Sequence, residues 1–166
     1  FPSVANSKAA LTPKIIEGED LTIFGNVGNA IIDINGGATA KEIAAAITAR
    51  KGETGVYADA QTRMNVTFSE LSSGSAEAPD TVSFNLYGKN GDAVLIAANV
   101  DFGITSGQSA NLSELAGAIN GTSGKTGITA SLSVDKSTMT MISDDGYDIV
   151  VENYSLVGVT GPTMNI

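Results

Sequence analysis

The sequence predicts an α+β fold in which short, mainly antiparallel strands outnumber helices. Runs of β-branched and aromatic residues recur between glycine-containing turns, which is typical of strands joined in hairpins. Each group of strands contains one segment of helical periodicity, and this order of elements occurs twice. With 166 residues, 42% of them hydrophobic, the chain can bury a core without disulfide bonds. We expect two subdomains of the order β-β-α-β-β, each with one short helix on one face of its own four-stranded sheet.

The repeated order reflects an internal duplication. When the sequence is moved along itself by 72 residues, Glu-Ile-Ala-Ala-Ala-Ile at 42–47 falls on Glu-Leu-Ala-Gly-Ala-Ile at 114–119. In the same register, Thr-Gly-Val at 54–56 falls on Thr-Gly-Ile at 126–128. Matches at one displacement without a gap indicate two copies of one structural unit.

The segment between the copies suggests a domain boundary. Residues 73–79 are small and polar, as in a mobile connector. We assign residues 1–72 to the first repeat subdomain with an N-terminal segment. Residues 80–166 form the second repeat subdomain with a C-terminal segment, and 73–79 form the linker.

Two strand pairs are predicted in the first copy. The apolar runs at 21–24 and 30–34 form a hairpin, because glycines at both ends of 25–28 favour a turn between them. The segments 55–58 and 64–68 nearly alternate between apolar and polar residues, which favours strands.

The helix of the first copy has a capping signal at its start. Thr39 is a candidate N-cap, and Glu42 follows three residues later as its capping-box partner. Three apolar residues then recur at helical spacing on one face. These are Ile43, Ala46 and Ile47. We expect the helix to end near residues 51–52, with Gly52 in the left-handed conformation that glycine adopts readily.

The second copy has the same order of elements. Its hairpin strands are predicted at 82–87 and 92–99, around an Asn-Gly turn at 90–91. Its helix is predicted at 112–120, with Asn111 or Ser109 as the cap. The helical residues expected to face inward are Leu112, Leu115, Ala116 and Ile119.

The second copy also carries an additional strand. Strands are predicted at 128–134, 138–142 and 147–151, and Asp144, Asp145 and Gly146 are expected to turn the last hairpin.

Composition excludes several classes of function. Nine basic against eighteen acidic residues give a net charge of -9, which repels nucleic acid and anionic lipid. Cysteine and histidine are absent, which removes thiolate metal sites and every Ser/His/Asp arrangement. The longest apolar runs, at 43–47 and 93–98, are far shorter than the roughly 20 residues that cross a bilayer. We expect no catalysis, no cofactor, no nucleic-acid partner and no membrane partner.

A lysine-containing motif is similar to part of a phosphate-binding loop. Gly-Lys-Thr at 124–126 has the required order, but Ile119 stands where such a loop needs a glycine. The motif also follows a predicted helix instead of a strand. We therefore expect Lys125 to lie in a turn that ends the helix.

Acidic residues near the C-terminal end suggest two further sites. Asp144, Asp145 and Asp148 offer oxygen ligands suited to calcium, but no glutamate follows at the spacing of a helix-loop-helix site. Asp144 or Asp145 with Glu152 would supply the two carboxylates of a glycosidase, a chemistry poorly supported in a chain without tryptophan. We favour a tight turn, and assign no catalytic, cofactor-binding or metal-binding residue.

Potential sugar attachment sites and sugar-stacking residues are also present. The Asn-x-Ser/Thr triplets begin at Asn65, Asn111, Asn120 and Asn153. Exposed serines and threonines are candidate positions for O-linked sugar. The tyrosines are Tyr57, Tyr87, Tyr147 and Tyr154, and each lies in or beside a predicted strand, where packing is the commoner role.

The repeated unit resembles a motif that recurs in the outer domains of bacterial flagellins. The unit is a strand pair, an alanine-rich helix and Thr-Gly-Val/Ile-x-Ala, with the helix and this motif at 39–58 and 111–130. The similarity covers most of residues 20–155 and is closer in the second copy. It implies a hypervariable, D2/D3-type region of an extracellular flagellar filament, with roles in motility, filament surface and antigenicity.

The resemblance also implies the partners. Other flagellin subunits bind through long terminal helices of the family, and host receptors, antibodies or surface glycans are candidate partners of the outer region. No sustained heptad pattern occurs in the sequence, so we expect this stretch alone not to polymerise.

Two alternatives remain open at the level of sequence. The same motif resembles segments of the flagellar filament cap, or hook-associated, protein. A polysaccharide-binding surface adhesin is the alternative from another class, and it would require exposed aromatic side chains beside basic ones.

Overall fold

The protein is strand-rich, as its sequence predicts. A computed structural model describes residues 20–69, 80–102, 109–157 and 164–166. Within these residues 41% lie in strands and 22% in helices, and the strand pairs are antiparallel. The predicted α+β class is confirmed.

The elements follow the predicted order with shifted boundaries. The strands are β1 (Leu21–Phe24), β2 (Asn29–Ile32), β3 (Thr62–Phe68), β4 (Asp80–Tyr87), β5 (Val94–Val100), β6 (Thr129–Leu132), β7 (Met139–Ser143), β8 (Val150–Val157) and β9 (Met164–Asn165). The helices are α1 (Ala40–Ala49), α2 (Lys51–Thr54), α3 (Ser113–Gly121) and α4 (Ser123–Thr126). No helix among the described residues has the length and apolar character needed to span a bilayer.

One of the sheets contains strands from both copies of the repeat. Their orders are β1-β2, β6-β7-β3-β9 and β5-β4-β8. Strand β3 of the first copy pairs with β7 of the second, with Met64 opposite Met141. The expectation that each copy forms its own four-stranded sheet is therefore wrong. The cause is the apolar face of β3, where Met64 and Val66 are each only 1% exposed and pack into the core of the second copy.

The predicted linker at 73–79 lies outside the described residues. The division of the chain into subdomains 1–72 and 80–166 stays a prediction.

The main core surrounds α3. Its four predicted inward side chains are buried, which confirms the periodicity argument. Helix α3 packs against β5 and β6, so strands of two sheets cover its apolar face. The largest fully buried side chains of this core are Phe84, Phe102, Met64, Leu86, Ile96, Leu112, Leu115, Ile119, Ile128, Met139, Met141 and Ile149.

The first copy has a much smaller core. Ala30, Ile32 and Ile34 form its buried cluster, and α1 contributes no fully buried side chain. The predicted apolar face of α1 does pack on this cluster, but its members remain half-buried. A two-stranded sheet is too narrow to cover a helix as the larger sheets cover α3.

The start of α1 is as predicted, but its end is not. The amide of Glu42 donates to Thr39 Oγ1 over 3.3 Å, and the amide of Thr39 donates to Glu42 Oε2 over 2.8 Å. This reciprocal pair confirms the capping box. The chain then continues into α2, and Gly55 with φ 75° takes the left-handed position expected for Gly52.

The cap of the second helix is displaced by one residue. Leu112 occupies the N-cap position of α3 and makes no side-chain cap hydrogen bond. The preceding Asn111 supplies the acceptor instead, since its Oδ1 accepts from the amide of Ser113 over 3.1 Å.

Two strand predictions also require correction. Residues 55–58 form no strand, and β8 begins at Val150, three residues later than expected. The turn at 144–146 does not close a hairpin, because β7 pairs with β3 and β6 whereas β8 pairs with β4. The additional strand of the second copy is present as β8.

A buried carboxyl group lies at the start of β4. Asp80 is 2% exposed, and its Oδ2 has no hydrogen-bond partner among the described residues. Burial raises the pKa of Asp80 above its ordinary value of 3.8, because the charged form loses its hydration. The folded state therefore binds this proton more tightly than the unfolded state does.

We expect Asp80→Asn to stabilise the protein at neutral pH. A raised folded-state pKa means that stability is lost as pH rises through that pKa, and the substitution removes this loss. Thermal unfolding should show a midpoint a few degrees higher than wild type at pH 7, and the gain should shrink as the pH approaches 3.8.

Asp145→Asn, at an exposed position, removes the same charge and serves as the control. An equal gain from both variants would attribute the effect to net charge instead of burial.

Candidate functional site

The same polar arrangement closes the helical segment in both copies. Thr54 Oγ1 donates to the carbonyl oxygen of Arg50 and accepts from the amide of Val56, each over 3.1 Å. Thr126 Oγ1 makes the matching bonds to Thr122 and Ile128, each over 3.2 Å. Both threonines have 0% exposure. The bonds just described give each buried hydroxyl a partner both as donor and as acceptor. We call these residues the threonine latches.

A left-handed glycine follows each latch. Gly55 has φ 75° and Gly127 has φ 70°, and their amides bond back to Lys51 and Ser123. A side chain is strained in this conformation, whereas glycine adopts it readily. The repeated Thr-Gly pair thus turns the chain sharply out of the helix.

Each latch also holds the turn of its hairpin. The Thr54 carbonyl accepts from the amide of Val27 over 3.3 Å, and the Thr126 carbonyl accepts from that of Lys89 over 2.9 Å. The turn glycines Gly25 and Gly88 lie so close that a Cβ atom would overlap the same carbonyl oxygen. The hairpin and the helix end are therefore in backbone contact in both copies.

In each copy a polar side chain, which we call the clamp, fixes the segment after the latch. Thr48 Oγ1 donates to the carbonyl of Ala58 and accepts from its amide, each over 3.1 Å. In the second copy, Asn120 bonds to the carbonyl and amide of Ala130 over 2.9 and 2.8 Å. Each side chain pairs with backbone as a neighbouring strand would.

Sequence reasoning did not assign these roles. The Thr-Gly pairs are evident in the sequence as part of the repeat, but nothing in their spacing indicates that the threonine hydroxyls are buried. A signal for the clamps was present, since residues 48 and 120 are both polar and are separated by the repeat displacement of 72.

The phosphate-loop alternative has no structural support. Lys125 lies in α4 and is exposed, and α4 follows α3 instead of a strand. The threonine of the motif is the buried latch Thr126, so its hydroxyl already has protein partners. The helix-ending turn predicted here is present.

The acidic turn joins the two copies. The carbonyl oxygen of Gly146, at φ 72°, accepts from the amide of Lys41 in α1 over 3.1 Å. Asp144 Oδ1 accepts from Gln61 Nε2 over 2.6 Å. Within the described residues, no group of three or more acidic side chains is arranged to hold a metal ion. Desolvation, followed by the negative charge of Glu42, raises the pKa of Asp148.

Glu152 lies apart from that turn in the order of elements. It belongs to β8, where it pairs with Asn85 of β4. Burial raises the pKa of Tyr87, and a hydrogen bond to Glu152 and its negative charge raise it further.

The asparagines of the predicted glycosylation triplets take part in local structure. Asn65 accepts from Thr140 across the sheet over 2.8 Å, while Asn111 and Asn120 make the cap and clamp bonds described above. Asn153 has φ 53° and lies where the pairing of β4 with β8 shifts register.

The tyrosines differ in exposure. Tyr57 is 67% exposed, with Lys51 Nζ 5.9 Å from its ring centroid. Lys41 Nζ lies 4.2 Å from the ring of Tyr147. Tyr154 packs against Phe68, and burial raises the pKa of its hydroxyl.

A shallow groove of about 220 Å³ runs between α1 and the segment after α2. Small side chains form much of it, while charged and aromatic ones also contribute. Its lining residues are Lys41, Ala44, Ala45, Thr48, Tyr57, Ala58, Asp59, Ala60 and Asp145. The groove therefore combines one exposed aromatic ring with charges of both signs.

Together these features define the class of protein. Two copies of one hairpin-helix unit, each closed by buried polar latches, form a structural repeat protein. A family model described as the flagellin hook IN motif matches residues 20–69 and 81–145, so each match contains one hairpin, one helix and one latch. The chain belongs to the flagellin hook IN motif family.

Membership of this family establishes the general role of the chain as a structural protein. Flagellins are structural proteins of the bacterial flagellum and assemble with other subunits into extracellular filaments. No curated protein matches this chain.

The contact between hairpin turn and latch can be tested with matched glycine substitutions. Gly88→Ala places a methyl group against the backbone carbonyl of Thr126, so one segment must shift. We expect a loss of about 1–3 kcal/mol in the free energy of unfolding, as for other overpacked positions. Gly91→Ala, in the same turn with no atom within 4 Å, should change stability little. Urea unfolding of both variants provides the measurement, and equal losses would contradict the latch contact.

Proposed function

We propose that this chain is a surface-exposed outer region of a flagellin, which sets the filament surface and its antigenic face in motility. The observation that carries this proposal is the size and closure of the two family units. The longest described helix has 10 residues, too short for the long coiled helices that build a filament tube. A compact unit with its helix ends satisfied internally suits a projection into solvent.

The charge of the chain supports the same role. A net charge of -9 makes adjacent copies repel at long range, which limits unspecific lateral association. The threonine latches also hold the hairpin turns against the helix ends, so the exposed turns project in a defined arrangement. The exposed serines and threonines offer positions for O-linked sugar, and antibodies or host receptors are the partners expected for such a surface.

Immunogold microscopy of intact bacteria tests the proposal. Antibody against this chain should label filaments along their full length, because every subunit then carries the region. Antibody absorbed beforehand with the purified chain is the control. Gold confined to filament tips would assign the chain to the cap protein, and gold on the cell body alone would contradict both flagellar locations.

The adhesin alternative is favoured by one specific feature, the groove beside Tyr57. An exposed ring next to lysine is the arrangement that stacks on a sugar and binds its polar groups. If this alternative is correct, a glycan array should give a signal with wild type and lose it with Tyr57→Ala. Leu95→Ala, at an equally exposed residue on β5, should leave the signal unchanged. An absent signal, or one that survives Tyr57→Ala, would count against a sugar-binding role for the groove.

A further inference from the structure

Asparagine is followed by glycine at three places in the sequence, and the fold holds these three pairs differently. They lie at 35–36, 90–91 and 120–121. In such a pair the backbone nitrogen of the glycine can attack the side-chain amide of the asparagine, because glycine has no Cβ atom to obstruct the approach. The local chemistry is the same at all three pairs. A difference in their reactivity must therefore come from the fold.

The side chain of Asn90 is fully engaged in hydrogen bonds. Its Oδ1 accepts from the amide of Gly88 over 2.7 Å, and its Nδ2 donates to the carbonyl oxygens of Leu86 and Asp92 over 3.0 and 2.7 Å. A carboxamide has one acceptor oxygen and two N–H donors, so each of its polar functions has a partner. Attack on this amide would have to break bonds that hold the hairpin turn between β4 and β5.

The side chain of Asn120 is exposed but is also held in place. It is the clamp of the second copy, with Oδ1 bound to the amide and Nδ2 to the carbonyl oxygen of Ala130. Gly121 lies in α3, where an amide bonds to the carbonyl group four residues earlier. Both the amide to be attacked and the attacking nitrogen are therefore engaged.

The pair at Asn35 has neither restraint. Asn35 and Gly36 are both exposed, and neither the side chain of Asn35 nor the amide of Gly36 has a hydrogen-bond partner among the described residues. The pair begins a turn in which the amide of Ala38 donates to the carbonyl oxygen of Asn35 over 3.1 Å, and Gly37 has φ 79°. The attacked and the attacking groups are both free at this pair.

We propose that Asn35 is a modification site at which the chain converts its own asparagine to aspartate and isoaspartate without an enzyme. The nitrogen of Gly36 forms a bond to Cγ of Asn35, and the side-chain nitrogen leaves as ammonia with the proton of the Gly36 amide. Water then opens the cyclic imide at either of its carbonyl carbons. Both products add one negative charge to a chain whose net charge is already -9, and isoaspartate also adds one carbon atom to the main chain.

The position of Asn35 gives the modification a structural consequence. Ile34, a buried member of the small core of the first copy, precedes the turn, and Ala38 packs against the same core. Thr39, the N-cap of α1, follows directly. A longer main chain at Asn35 alters the connection between β2 and α1, the elements that this core joins. Isoaspartate should therefore loosen the first copy and leave the main core around α3 unchanged.

Peptide mapping by mass spectrometry tests the proposal. The purified whole chain is incubated at mildly alkaline pH, and the exchange of an amide for a carboxyl group is followed at each asparagine. We expect conversion at Asn35 to be roughly tenfold faster than at Asn90 and Asn120, because hydrogen bonds that must break slow the attack at those two. The same incubation in concentrated urea is the control, and there all three pairs should convert at similar rates.

Matched glycine variants test the chemical route. Gly36→Ala places a Cβ atom beside the attacking nitrogen, so conversion at Asn35 should slow roughly tenfold. Gly91→Ala, in the turn of the second hairpin, should leave conversion at Asn35 unchanged. Circular dichroism of both variants shows whether they fold as the wild type does.

Hydrogen exchange tests the structural consequence. Amides of α1 should exchange faster in aged wild type than in fresh wild type, while those of α3 should not change. Aged Gly36→Ala should exchange as the fresh variant does, because little isoaspartate then forms.

Several outcomes would overturn the proposal. Equal conversion of the three pairs in the folded chain would show that the fold does not select Asn35. A preference for Asn35 that persists in urea would assign the selection to local sequence, and conversion unaffected by Gly36→Ala would exclude attack by the Gly36 nitrogen. Unaltered exchange in α1 after conversion would contradict the loosening of the first copy. None of these measurements depends on where the protein lies on the cell.

Discussion

The fold of each repeat depends on the hydroxyl of one buried threonine. A hydroxyl removed from water costs free energy unless both its donor and its acceptor functions are used, and Thr54 and Thr126 use both. The same residues present their carbonyl groups to the hairpin turn, so one position joins the helix end, the sharp turn after it and the preceding strands. This explains how a short sequence motif specifies a tertiary arrangement: its threonine and glycine act on backbone groups, which every residue type supplies.

Local signals in the sequence predicted local structure well. The capping box of Thr39 and Glu42 and the inward face of α3 depend on residues within a few positions of each other, so their spacing was sufficient. The predicted end of the helix was wrong because Gly52 and Gly55 can both adopt the left-handed backbone conformation. Only the contact between Thr54 and the hairpin turn selects the second glycine.

The arrangement of strands was not accessible in the same way. The alternation in β3 correctly indicated a strand, but alternation does not reveal which neighbour covers its apolar face. Met64 and Val66 pair with Met141 and Met139 and share a core with them, and both partners lie in the other copy. The acidic turn was interpreted correctly as a turn, but its contacts with Lys41 and Gln61 join distant segments that sequence spacing does not relate. The groove beside Tyr57 also depends on contacts between separate segments. The types of its lining residues can be read from the sequence, but their proximity cannot.

The transfer of β3 into the sheet of the other copy constrains how this protein can change over evolutionary time. A tandem duplication can ordinarily be lost or gained as a cassette, because each copy retains its own core. Here deletion of the first copy would also remove the strand between β7 and β9, and Met139 and Met141 of β7 would lose their neighbours Val66 and Met64. The duplicated halves are therefore structurally dependent on each other.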